Sequence, residues 1–596
     1  MREPKSLLAH GRRLLLVSGA LAAAHPLPAQ TGVRVDSAVT VPMRDGVGLK
    51  ADVWRPATGA RFPVLVYRTP YSRTEVASGS DLVRAAVTRG YAVVLQDVRG
   101  RYASGGEFDP YRHEGKDGYD TIEWAARQAW STGAVGTYGL SYPGAVQWLA
   151  AVEQPPALKA MVPAMTYAAP EGFWYSGGVW DGSWLDWTWF NIAPDLRRRL
   201  GRPGPQTEEE VSAAWKSHGT RARRHRPLLT LADFKGIAPW YYEWMRHPPG
   251  DSWWSWAGLE GRYGRVGAAV LNLSGWFDEP YGPIGAATNY AGLVQARGST
   301  ATRAGLILGP WTHGVGAVES SKAGDRDFGQ SAALDYTATV LGWMDRHVKG
   351  ATLATERDPA VRVFVMGANR WRSADRWPLA GTRPDTLYLQ PPAGSVKPGQ
   401  LLPSPSAAES SPSVIRSDPS APLAAPFEGR AGPHDYRKLP GRSQVAAFET
   451  APFTSPREII GPVVAELAVS ASVPDFDIWV QLYDVAPDGI AWNLSSPGTG
   501  LLRASYREGG PERQLVRKGE VVPLRLDRLL TANRFLRGHR LRIIVSTAFY
   551  PLFSVNPQTG AQEFESAETR SGEIRIHHSG AHISRLILPS IPPEQD

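Results

Sequence analysis

A chain of 596 residues exceeds the roughly 250–300 at which a single hydrophobic core stops growing, so at least two domains are expected. With 42% hydrophobic and 20% charged residues the composition is that of a soluble globular protein, and 50 Pro with 61 Gly favour turns over long helical bundles. The complete absence of cysteine excludes a disulfide scaffold, thiolate metal sites and a cysteine nucleophile. The formal charge is +8; Met1–Ala29 carries a net +3 of it, which leaves +5 spread too thinly for a nucleic-acid stripe. The two basic clusters, Arg197–Arg199 and Arg221–Arg224, read as solvated helix faces, so no nucleic-acid partner is expected.

At the N-terminus, Arg12 and Arg13 precede the apolar run Leu14–Ala24, and the small-residue site Leu27-Pro28-Ala29 makes Gln30 the expected mature start. That is the layout of a secretory signal peptide over 1–29, too short to span a bilayer. The paired arginines suit the twin-arginine route as well as the Sec route. The expected location is therefore outside the cytoplasm, periplasmic or secreted. No later segment reaches about 18 uninterrupted apolar residues, so no membrane span is expected in the mature chain.

From 30 to 164 short apolar strands alternate with helices. Phe62–Tyr67 and Tyr91–Gln96 are continuous apolar runs, as strands buried on both faces require, and Asp120–Ala126 is helical. This βαβ rhythm predicts a parallel sheet, and it resumes over 257–356 with Ala268–Ser274 and Gly305–Leu308. The insertion between the halves, 165–256, holds eleven of the 22 tryptophans. Packing against one another is the default for each of these rings. Trp174 and Trp180 are the candidates for an aromatic wall of a substrate cleft. From 357 to 596 the texture is all-β. A Pro/Ser-rich stretch at 391–426 reads as a linker, followed by alternating strands such as Val463–Val469, Ile478–Tyr483 and Leu541–Val545.

Gly139-Leu140-Ser141-Tyr142-Pro143-Gly144 leads directly into the helical Ala145–Ala151. A serine between glycines at a strand-to-helix turn is a nucleophile elbow: small flanks permit the strained backbone, and the amides opening the helix bind an oxyanion. The second glycine falls one place late. Alone, such a glycine-rich turn is a moderate signal. Its partners strengthen it. Strand Val270–Ser274 runs into Gly275-Trp276-Phe277-Asp278, and strand Leu306–Leu308 into Gly309-Pro310-Trp311-Thr312-His313. Ligands of open α/β sheets bind at such C-terminal strand ends, and the order Ser, Asp, His is that of α/β-hydrolases. A hydroxyl needs a base to attack at neutral pH. His313 suits that role, with Asp278 fixing its tautomer and Glu279 as the rival acid. Capping by Asp278 and a core role for His313 are the alternatives.

These segments, together with Arg68-Thr69-Pro70-Tyr71, Gln96-Asp97-Val98-Arg99-Gly100, Ser104–Phe108, Val363–Gly367 and Phe535–Arg542, resemble the group of cocaine esterases, X-Pro dipeptidyl-peptidases and α-amino-acid ester hydrolases. The resemblance spans nearly the whole mature chain, and the late glycine is then the family's own pattern. It implies an α/β-hydrolase domain with a helical cap insertion, plus a C-terminal all-β jelly-roll domain. It also implies an oxyanion hole from the Tyr71 hydroxyl and the Tyr142 backbone N–H, with no cofactor and no metal. Tyr71 follows strand Val64–Tyr67, whose loop usually supplies the second donor. Asp97 and Arg99 are expected to be structural charges. In the ester hydrolases, acidic residues just beyond the triad aspartate help hold a substrate ammonium. Here Pro280 and Tyr281 stand there, leaving Glu279 as the single candidate carboxylate.

The expected activity is that of an exported serine hydrolase acting on a small-molecule ester or amide, or on a short peptide, through an acyl-enzyme. The alternatives are an X-Pro dipeptidyl-peptidase and, in another class, a weakly active or inactive hydrolase carrying a carbohydrate- or surface-binding module.

Overall fold

The structure is a computed structural model that describes residues 32–298, 303–351, 360–392, 398–406 and 409–594. The expected signal segment, 1–29, lies outside the described residues. Ten strands build the main sheet: β1 (Val33–Pro42), β2 (Gly48–Pro56), β3 (Phe62–Thr69), β4 (Ala92–Asp97), β5 (Ser131–Leu140), β6 (Leu158–Ala164), β7 (Ala269–Gly275), β8 (Ala304–Gly309), β9 (Val361–Val365) and β10 (Arg370–Ala374). They lie in the order β1-β2-β4-β3-β5-β6-β7-β8-β9-β10. From β4 to β9 every neighbouring pair is parallel. β4, β7 and β8 are buried along their whole length, which is why they are written as unbroken apolar runs.

Val361–Val365 was expected to open the all-β domain at 357, but it lies parallel to β8, and β10 pairs antiparallel with β9 at the sheet's edge. A five-residue apolar strand carries no mark of which sheet will take it. The chain crosses over immediately afterwards: Met366 N–H donates to Ala532 (3.0 Å), and its carbonyl accepts from Arg534 N–H (2.7 Å).

Thirteen further strands among the described residues, from Arg383–Gln390 to Arg585–Ile591, form the C-terminal all-β jelly-roll domain. Its long strands Arg457–Ala471 and Val522–Phe535 run antiparallel. The Pro/Ser-rich stretch is woven into this domain and is not a free linker. Gly399–Leu402 and Ser413–Ser417 are strands in it, and Leu423 is buried. Residues 393–397 and 407–408 of that stretch lie outside the described residues.

Between β6 and β7 the cap carries helices Ser183–Trp187, Ala193–Leu200, Glu208–Arg224 and Pro239–Arg246. The third opens on a Thr207/Glu210 capping box with three glutamates in its first turn and closes on Arg221, Arg223 and Arg224. That polarity complements the helix dipole and accounts for one basic cluster. The other closes Ala193–Leu200, but Arg197 is buried over the Trp189 ring at 5.3 Å instead of facing water. The cap core is aromatic: Trp174 packs 4.4 Å from Trp254, and Trp184 5.2 Å from Trp244.

Buried ion pairs tie the three parts together. Arg101, from the loop after β4, is fully buried against Asp195 of the cap at 3.1 Å, and Tyr102 N–H donates to the same carboxylate at 3.0 Å. In the C-terminal domain Arg503 is enclosed by Asp477 (2.8 Å) and Glu563 (2.6 Å). Its N–H donates to Gly177 of the cap (2.7 Å), and the Glu563 carbonyl accepts from Leu228 of the cap (3.1 Å). Removing one member of such a pair strands a buried charge and costs about 3–5 kcal/mol, so these contacts fix geometry more than they add stability.

Candidate active site

Four adjacent parallel strands, β5 to β8, end on the same edge of the sheet, and the chemistry-bearing side chains follow their last residues. Ser141 directly follows β5 and caps helix Tyr142–Ala151 with φ 67° and ψ −125°, a conformation unfavourable for any residue with a β-carbon. Two neighbours make it possible. Gly139 has φ 144°, and a β-carbon there would stand 2.5 Å from that of Pro143. At Gly144 one would stand 2.5 Å from the Ala164 carbonyl, so the late glycine is required by the close passage of the helix over β6. The turn is held by Ser141 N–H donating to that same Ala164 carbonyl at 3.0 Å.

Asp278, three residues beyond β7, is fully buried. Its carboxylate accepts from Ser274 Oγ (2.6 Å), Glu279 N–H (2.8 Å) and His313 Nδ1 (2.5 Å). An ionised carboxylate only accepts, so the proton sits on Nδ1 and the lone pair of His313 is left on Nε2. Burial works against a charged ring, but Asp278, and then Glu279, outweigh it and lift the His313 pKa above its ordinary value. Ser141 and His313 flank one segment: Ala164 accepts from Ser141 N–H, and the Met165 sulfur accepts from Gly314 N–H at 3.3 Å.

Tyr71 lies in the loop after β3, its ring edge-on to Tyr142 at 6.4 Å. Its hydroxyl accepts from Trp187 Nε1 at 2.9 Å and lies close to the Ser141 side chain. As first residue of its helix, Tyr142 has an N–H with no carbonyl one turn back. Its buried hydroxyl donates to Glu114 (2.8 Å), which pairs with Arg68 at 2.7 Å. Asp97 and Arg99 are structural, as expected. Asp97 is held by the backbone and guanidinium of Arg73, and Arg99 grips Asp117 through two bonds of 2.9 and 2.7 Å.

His313 and Glu279 stand on the wall of a cavity of about 310 Å³ between core, cap and C-terminal domain. Phe277, Phe427 and Phe553 make it largely apolar, and Asp181 of the cap adds a second carboxylate beside Glu279. Burial, then the neighbouring Glu279, pushes the Asp181 pKa up to about 7. Burial likewise raises Glu279, against the pull of His313. Trp174 and Trp180 are not on this wall. Both are buried in the aromatic interior, Trp180 edge-on to Tyr241 at 6.1 Å, so the aromatic side chains facing the cavity are other ones. Asp181 and Trp187 carried no local sequence signal. One is a lone acid in a turn and the other one tryptophan among eleven.

The His313 ring is expected to stay charged at a pH where an ordinary histidine is half neutral. Nitrogen NMR of selectively labelled histidines should show its midpoint above about 6.5, and Asp278→Asn should lower it. A midpoint at or below that value in the unsubstituted protein would contradict the ion pair.

The profile of the X-Pro dipeptidyl-peptidase (S15 family) matches residues 45–315, and that of the X-Pro dipeptidyl-peptidase C-terminal non-catalytic domain matches 354–587. A cocaine esterase from Rhodococcus sp. (strain MB1 Bresler) is 34% identical over 583 residues, covering 94% of this chain and 98% of its own. Two solved structures share the fold. An α-amino acid ester hydrolase superimposes with a TM-score of 0.77 at 24% identity, over 95% of this chain and 98% of its own. An aminopeptidase from the marine sediment archaeon Thaumarchaeota archaeon does so with 0.78 at 22%, over 97% and 99%. The chain thus belongs to the family of cocaine esterase and the S15 X-Pro dipeptidyl-peptidases, and it is a serine hydrolase.

Proposed function

We propose that this chain hydrolyses esters of small acyl groups through an acyl-enzyme on Ser141. The observations that support the reading are the 2.5 Å contact of buried Asp278 with His313 Nδ1 and the strained strand-to-helix turn that holds Ser141. His313 Nε2 takes the Ser141 proton as Oγ attacks the ester carbonyl. The carbonyl oxygen, now negative, accepts from Tyr71 O–H and Tyr142 N–H. The imidazolium, stabilised by Asp278, then protonates the departing alkoxide. Water repeats the sequence with the acyl-enzyme and releases the acid.

Ser141→Ala and His313→Ala should each lower kcat by about 10⁴ or more with the fold intact, and Asp278→Asn somewhat less, because the three act as a unit. Tyr71→Phe should cost about 10²–10³ in kcat and leave KM nearly unchanged. A larger loss with Glu279→Gln than with Asp278→Asn would move the carboxylate role to Glu279.

Apolar walls and the Pro280-Tyr281 pair favour an uncharged aryl or aliphatic acyl group. Asp181 and Glu279 on the cavity wall support a second reading, a substrate bearing an amine, as an X-Pro dipeptidyl-peptidase would take. The comparison is direct: kcat/KM should be higher for p-nitrophenyl acyl esters than for aminoacyl-proline anilides. Preference for the anilide, with Glu279→Gln or Asp181→Asn raising its KM alone, would replace the esterase reading.

Export is the remaining part of the proposal and rests on the Arg12-Arg13, Leu14–Ala24 and Leu27-Pro28-Ala29 pattern. N-terminal sequencing of the protein from an exporting host should find Gln30 first. An intact Met1 on cytoplasmic protein would exclude it.

A further inference from the structure

Trp187 is the last residue of the short cap helix Ser183–Trp187, and a π-helical turn, Thr188–Ile192, follows it directly. Such turns re-aim side chains within a helix. Its indole meets the side chains of both tyrosines assigned to the oxyanion hole: Nε1 donates to the Tyr71 hydroxyl at 2.9 Å, and the ring lies parallel to the Tyr142 ring with centroids 6.3 Å and planes 11° apart. Trp184 at 5.4 Å and Trp240 at 5.9 Å hold the indole edge-on from within the cap. Further along the same run of helix, Asp195 is anchored to Arg101 of the core.

An indole N–H can only donate, so the direction of the 2.9 Å bond is settled by chemistry. The Tyr71 oxygen accepts, and its single proton must point elsewhere. The Ser141 side chain, beside which an oxyanion would form, lies close to that hydroxyl. Accepting a hydrogen bond also makes the phenol a better donor. Burial raises the Tyr71 pKa, and the Trp187 bond pulls it back down.

We propose that Trp187 is a positioning residue, supplied by the cap, that orients and polarises the Tyr71 hydroxyl for the oxyanion. The proposal rests on Tyr71 donating to the oxyanion, as assigned above. It makes the cap part of the catalytic machinery as well as a wall of the cleft, because the bond exists only while the cap is docked.

Trp187→Phe keeps an aromatic ring against Tyr142 and deletes the N–H together with one ring of the indole. With a p-nitrophenyl ester it should lower kcat about tenfold, as expected for one neutral hydrogen bond, with KM and the thermal midpoint nearly unchanged. Affinity for a boronic acid that forms a tetrahedral adduct on Ser141 should fall by the same factor. In a Tyr71→Phe background the same substitution should change kcat by less than about twofold, since the group it acts through is gone. An equal loss in both backgrounds, a loss confined to KM or to thermal stability, or an unchanged kcat would each reduce Trp187 to packing. If Tyr71→Phe alone keeps full kcat, the oxyanion assignment of Tyr71 is what fails, and the role of Trp187 falls with it.

Discussion

The site depends first on a backbone constraint, the conformation of Ser141 at φ 67°. Such a residue costs of order 1–3 kcal/mol and persists only where the surroundings over-determine it. Here the surroundings are specific. Gly139 admits the approach of Pro143, Gly144 lets the helix pass over Ala164, and the Ala164 carbonyl takes the Ser141 amide. The reward is a hydroxyl lifted clear of the sheet at the head of a helix whose first N–H, that of Tyr142, has no carbonyl one turn back.

Everything else is arranged around that point by parallel strands. Because β5 to β8 run the same way, their C-terminal loops gather on one edge, and Asp278 reaches His313 without any long excursion of chain. Asp278 can be fully buried because three donors surround it. That burial makes it effective, since a screened carboxylate would neither orient His313 nor hold its charge so well.

The cap and the C-terminal domain close the cavity from two further sides. Their seams use buried charges where an apolar contact would have allowed sliding. Arg101 of the core pairs with Asp195 of the cap, while Arg503, held within the C-terminal domain by Asp477 and Glu563, meets the cap through its backbone N–H on Gly177. The cavity combines phenylalanine walls with charged side chains, among them Asp181 and Glu279, whose pKa values are both raised by burial.

The strands were legible in the sequence because burial on both faces writes an unbroken apolar run, as in β4. The elbow was legible because strain must be written in glycine, as at Gly139. Strand ends followed by Asp278 and His313 in hydrolase order made those residues candidates by local pattern alone. What the pattern left open was which of the adjacent Asp278 and Glu279 faces His313. The turn after β7 decides that by burying the first and leaving the second on the cavity wall. Local pattern was equally silent on which sheet would take β9, and on which of eleven cap tryptophans approaches the site. Trp174 and Trp180 pack inside the cap, whereas Trp187 reaches Tyr71. The amino-acid sequence by itself determined the elements, the elbow and the three candidate side chains, since each answers to neighbours a few residues away. The tertiary structure decided the partners of those side chains, since a contact such as Trp187 with Tyr71 depends on how separate domains dock.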